Sequence, residues 1–254
     1  HVLALSGLHL GIIYGILTLL SLSFRRRWLS QLIIMSAVWA YVVLVGMPAS
    51  VVRSAVMLSV IALVTILNRN NILLNSLSLA AFVILVMNPL SLYDIGFQMS
   101  FMAVLGIALF LPMLCRQRLF MARWKKWFYK LWGMIAVSLA AQLGTAPLVA
   151  YYFGRFSCYF ILTNLVVIPF AVVVLYGTIA VVVTFFSPTV STFLAGILIG
   201  IVQEMNKILH WIASLPGASV DDISWSKTQV IAIYASLLAL YFILNFFAPK
   251  KYPH

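Results

Sequence analysis

The stretch CYFILTNLVVIPFAVVVLYGTIAVVVTFF, residues 158–186, runs for about 29 residues without one charged side chain. About 20 helical residues cross the hydrocarbon core of a bilayer, so this run is longer than a single span requires. Asn164 and Pro169 interrupt it, and the proline predicts either a kink or a division into a re-entrant piece and a span. On both sides the chain repeats the pattern, with apolar runs of roughly 16 to 28 residues separated by short polar or basic punctuation. Hydrophobic residues make up 65% of the 254 positions, charged residues only 8%, and the mean hydropathy is +1.13. A water-soluble domain has nowhere to bury that much apolar surface. Lipid cannot satisfy backbone polar groups, which leaves helices or closed barrels, and no sustained period-2 alternation supports a barrel. The predicted fold is an all-α, polytopic transmembrane helical bundle with kinked or re-entrant helices.

Nine spans are predicted: Leu3 to Phe24, Leu29 to Gly46, Ser50 to Leu67, Ile72 to Met87, Ile95 to Leu114, Leu131 to Phe153, Cys158 to Phe186, Val190 to Ala213 and Thr228 to Phe247. Lys and Arg in short loops favour the cytoplasm. Alternate connections carry Arg25, Arg26, Arg27, Arg69, Arg116, Arg118, Arg123, Lys125, Lys126, Lys130, Lys250 and Lys251, leaving Arg53, Arg155, Lys207 and Lys227. That asymmetry places His1 on the outer side of the membrane and the last residue in the cytoplasm. The segment Arg116 to Lys130, with Phe120, Trp124, Trp127 and Phe128 interleaved, suits an interfacial helix on the bilayer surface or a nucleic-acid contact.

Cys115 and Cys158 lie far apart, with no CxxC or Cys/His ligand spacing, so neither a disulfide nor a metal site is expected. No phosphate-binding loop, HExxH or carboxylate cluster appears, and no cofactor or catalytic residue is assigned. The chain opens on His1 without a basic leader, and no linker or internal repeat divides it. The expectation is a single membrane domain, residues 1–254, excised from a longer protein.

Polar groups at membrane depth are costly, so they point to a path or a site. Ser6 and His9 are i,i+3 neighbours on one helical face, suited to interhelical hydrogen bonds, a polar lining or a serine with its base. His1 and His9 would be about 12 Å apart along a continuous helix and cannot chelate one ion. In the second group, Pro48 and Ser50 suit a helix start, and Arg53 either snorkels to the outer headgroups or offers a guanidinium to phosphate. Asp94 is placed to cap the helix that carries Gln98 and Ser100. Gln142 and Thr145 share a face beside Gly144 and Pro147, which weaken the helix at mid-span, where broken helices line cavities. Asn164, ahead of Pro169, is either packing glue or lining. Glu204 and Lys207 are i,i+3 and are expected to pair on the most amphipathic helix.

Read in order, these groups resemble the competence domain of the ComEC family, the inner-membrane DNA-uptake proteins of transformable bacteria. The resemblance runs from His1-xxx-Leu5-Ser6-Gly7-Leu8-His9, through Pro48 with Arg53, Asp94-Ile95-Gly96-Phe97-Gln98-Met99-Ser100-Phe101, Thr145-Ala146-Pro147 and Tyr151-Tyr152-Phe153-Gly154, to Asn164-Leu165 with Pro169 and Leu215-Pro216. It implies a channel admitting one DNA strand to the cytoplasm. Full-length members are flanked by an OB-like external domain and often a metallo-β-lactamase-like nuclease domain, so any nuclease activity would lie outside this chain. The implied partners are single-stranded DNA, membrane lipid and other competence-machinery proteins, with a homo-oligomer left open.

A polyanion cannot be solvated by hydrocarbon and needs a wet, polar lining. Ser6, His9, Gln98, Ser100, Gln142, Thr145 and Asn164 are the expected lining, with Arg53 and Arg155 at the outer mouth; Pro48, Asp94, Pro147 and Pro169 are the expected caps and kinks. Tyr151, Tyr152 and Phe153 either stack on bases or form an ordinary aromatic belt. Two rival readings stay open: an intramembrane hydrolase using Ser6 and His9, with Asp94 as the orienting acid, and a small-solute transporter.

Overall fold

The computed structural model describes residues 10–11, 13–15, 17–18, 27–67, 73–116 and 126–246. Helical residues from Leu10 to Thr18 fall within the first predicted span. Eight helices follow on the other eight: α1 (Arg27–Leu44), α2 (Ala49–Ile66), α3 (Leu73–Met87), α4 (Ile95–Arg116), α5 (Lys126–Phe153), α6 (Phe160–Val183), α7 (Pro188–Ser214) and α8 (Lys227–Phe246). Two-residue strands β1 (Phe156–Ser157) and β2 (Ser219–Val220) pair antiparallel, with Phe156 opposite Val220 and Ser157 opposite Ser219. The all-α bundle predicted from hydropathy is the fold observed. Six of the helices are long and apolar enough to cross a membrane, and two shorter apolar helices, Trp28–Leu44 and Leu73–Met87, accompany them.

Of the two alternatives expected at Pro169, a kink or a division into a re-entrant piece and a span, the division does not form: α6 is one helix through Pro169, as α5 is through Pro147. Proline removes one backbone hydrogen bond, but in lipid no water competes for the rest, so the helix continues. The segment 117–125, which carries most of the expected interfacial helix, lies outside the described residues.

The chain divides into two compact units, residues 1–101 with 166–209 and residues 102–165 with 210–254. In the first unit α1 packs on α2 and α2 on α3. Helix α1 ends in a reversal in which Gly46 (φ 85°) donates to the Val43 carbonyl and Met47 to the Val42 carbonyl, both at 3.0 Å. Gly46 supplies the left-handed residue this ending needs. Pro48 then starts α2, its carbonyl accepting from Val51 and Val52 at 2.9 and 3.0 Å. Ile34, Val38 and Val42, four residues apart on one face of α1, meet Leu10, Val51 and Ala55 in the core. Trp39 Nε1 donates to Ser59 Oγ at 3.1 Å.

In the second unit α4 and α5 approach closely at Gly106 and Gly144. A Cβ on Gly144 would collide with the Met102 carbonyl, and one on Gly106 with the Ala140 carbonyl. Backbones pack that closely only where side chains are absent, the usual device where lipid removes the hydrophobic drive for association. Tyr234 of α8 donates its hydroxyl to the Gly144 carbonyl at 2.7 Å. Large apolar residues such as Phe82, Phe186, Phe193 and Phe242 face outward, a surface that lipid solvates and water would not.

Candidate functional site

In the first unit, groups far apart in sequence meet where α2 and α4 begin. Asp94 sits one residue before α4, and its Oδ1 accepts from the Phe97 backbone at 2.7 Å, the geometry of an N-cap. The same oxygen accepts from Arg53 Nη1 at 3.3 Å. The arginine side chain is only 12% exposed against 48% for Asp94, and its Nε is buried without a partner among the described residues. Room for the guanidinium comes from Gly96, where a Cβ would stand 2.6 Å from Arg53 Nη2 and 3.0 Å from Asp94 Oδ1. Phe97 and Phe101 are buried one turn apart with ring centroids 4.3 Å from each other, which anchors this end of α4. Gln98 Nε2 donates to the Leu92 carbonyl at 2.9 Å, and Ser100 Oγ to the Phe97 carbonyl at 3.0 Å. Arg53 is thus a clamped cation between two helix starts, not a free guanidinium.

The second unit holds Gln142, Thr145, Pro147, Arg155 and Asn164. Thr145 Oγ1 donates back to the Ala141 carbonyl at 3.1 Å, within its own helix. Gln142, near the middle of α5, and Asn164, in the second turn of α6, are each half-buried without a side-chain hydrogen-bond partner among the described residues. Gly144 faces α4 and Pro147 is buried within a continuous helix, so neither breaks α5. Arg155 is 72% exposed and stands 3.6 Å from Asp221. Ser6 and His9 lie outside the described residues. Pro48 begins α2, and Pro169 belongs to the first unit.

Sequence reasoning missed the feature beside Arg155. Gly154 (φ 65°) turns the chain out of α5, β1 pairs with β2, and the Ile223 backbone donates to the Gly154 carbonyl at 2.9 Å. Tyr159 ties the loop down by donating to the Pro216 carbonyl at 3.1 Å. An open cavity of about 490 Å³ results, lined by Val149, Phe153, Arg155, Phe156, Ser157 and Ser219. The available signal was Asp221-Asp222, half of the chain's four acids, in a connection on the same side as Arg155 in the alternating topology.

Apolar helices of crossing length and polar groups held within them define a multi-pass membrane protein. The chain belongs to the competence protein family, whose model matches residues 1–247. It is 30% identical over 172 residues to ComE operon protein 3 of Bacillus subtilis (strain 168), a match that takes in 67% of this chain and 21% of that protein's length. No solved structure matches the chain.

Proposed function

We propose that this chain is a membrane domain through which single-stranded DNA passes into the cytoplasm during natural transformation. It would lie in the bacterial inner membrane with His1 outside and act beside other competence-machinery proteins. Membership of the competence family supports the setting, and Gln142 carries the mechanism. A half-buried amide at mid-span without a side-chain hydrogen-bond partner among the described residues costs several kcal/mol if hydrocarbon surrounds it, a cost that a hydrated face would remove. A hydrated face can solvate phosphates, and uncharged donors hold each one weakly enough for the next to follow.

The test is Gln142→Leu, which keeps the bulk and removes the amide. Entry of labelled DNA into the cytoplasm should fall roughly tenfold or more, the equivalent of one or two hydrogen bonds lost along the path, with surface binding unchanged. Thermal stability should hold or rise, since no structural bond is broken. Unchanged entry in both Gln142→Leu and Asn164→Leu would sink the reading. Saturable uptake of a small solute, with transformation intact on deletion, would replace it with a transporter.

A further inference from the structure

The cavity at the end of α5 is of the size that holds a small ligand. Its walls offer two aromatic rings, Phe153 and Phe156, and its polar groups are the Arg155 guanidinium and the Ser157 and Ser219 hydroxyls. Rings that stack a base beside a cation that takes a phosphate are the elements that bind an unpaired nucleotide without regard to sequence. Asp221 engages this polar set from the side. Its Oδ1 stands 3.6 Å from Arg155 Nε, and its Oδ2 accepts from the Ser219 hydroxyl at 3.0 Å. Both members of the ion pair are more than half exposed, so an arriving anion can displace the carboxylate.

We propose that this cavity is a subsite for one nucleotide of the incoming strand, and that Asp221 competes with each DNA phosphate for Arg155 and Ser219. The proposal rests on the channel reading above. Its consequence is kinetic: an acceptor already present at the cation weakens the hold on each phosphate, and conduction requires binding weak enough to leave. A lipid headgroup brings the same phosphate but no base to stack, which separates the two sources.

The intact membrane protein in nanodiscs is titrated with a fluorescent oligothymidylate, and with an abasic strand of equal length, in phosphatidylcholine alone and with phosphatidylglycerol added. Asp221→Asn should bind the thymidine strand roughly fivefold tighter, the factor for removing a like charge about 4 Å away in water-exposed surroundings. Arg155→Gln should weaken binding by a similar factor. Phe156→Ala should bring the thymidine strand down to the abasic one. Asp222→Asn, which removes the same charge from a residue not paired to Arg155, should have a smaller effect than Asp221→Asn; Asp221→Ser serves as a second variant should the asparagine fail to fold. Equal binding of the two strands by the unmodified protein would overturn the subsite, as would tighter binding in Asp222→Asn matching that in Asp221→Asn. An Asp221→Asn effect confined to phosphatidylglycerol discs would reassign the cavity to a headgroup. Oligothymidylate binding indifferent to all these changes removes the subsite and leaves the channel reading standing. No strand binding at all, together with normal DNA entry in both Gln142→Leu and Asn164→Leu, removes both.

Discussion

Asp94 Oδ1 serves two donors at once, the Phe97 backbone at the start of α4 and the Arg53 guanidinium from α2. The two roles separate by substitution. Asn caps a helix about as well as Asp, so Asp94→Asn removes the counter-ion and keeps the cap, whereas Asp94→Ala removes both. Asp94→Asn should cost roughly 1 to 3 kcal/mol, because a mostly buried cation is left without its partner, and Asp94→Ala about 1 kcal/mol more. Thermal unfolding in detergent measures both, and in an Arg53→Leu background the Asn cost should largely vanish. Gly96→Ala is the sharper change, since its methyl would occupy the space of Arg53 Nη2 and should cost as much as losing the ion pair. The cap was readable in the sequence, because capping is a local rule. The pairing with Arg53 was not: 41 residues separate the partners, and only the folded chain brings the two helix starts together.

At the scale of helices, hydropathy placed eight helices within a few residues, because crossing length and the exclusion of charge are strong one-dimensional constraints. The same reading took Gly144 and Pro147 for points of weakness, since local propensity counts the residue and not its neighbour. In the folded chain Gly144 is where α4 comes into backbone contact, and Tyr234 of α8 takes its carbonyl. Gly144→Ala should therefore destabilise the protein by roughly 1 to 3 kcal/mol, although alanine is the better helix former by about 1 kcal/mol. Gly133→Ala, in the same helix with nothing near its Cβ, should be neutral or stabilising, and comparing the two unfolding midpoints gives the sign directly. Equal effects would mean that α5 responds to propensity alone. Strands β1 and β2 escaped notice because two residues carry no alternation to detect.

Over the whole molecule the charges sort by topology. The four cations outside the basic connections are Arg53, Arg155, Lys207 and Lys227, and the four acids are Asp94, Glu204, Asp221 and Asp222. Three of these cations are paired: Arg53 with Asp94, Arg155 with Asp221, and Lys207 with Glu204 at 2.6 Å, the i,i+3 pair expected from sequence. In the alternating arrangement Arg53, Arg155, Lys227, Asp94, Asp221 and Asp222 fall on one side and cancel, and Lys207 pairs with Glu204 within the eighth span. The other twelve cations then account for the formal net charge of +12. On the proposed orientation a neutral outer side would admit a polyanion without trapping it, while a basic cytoplasmic side would attract an emerging strand and anionic lipid. The orientation this requires is open to direct test. Single cysteines replacing Ser157 or Ser226, with Cys115 and Cys158 changed to serine, should react in intact spheroplasts with a membrane-impermeant maleimide. Cysteines replacing Arg69 or Arg118 should react only after lysis. The reverse pattern would put the basic connections outside and remove the electrostatic argument for the direction of DNA passage.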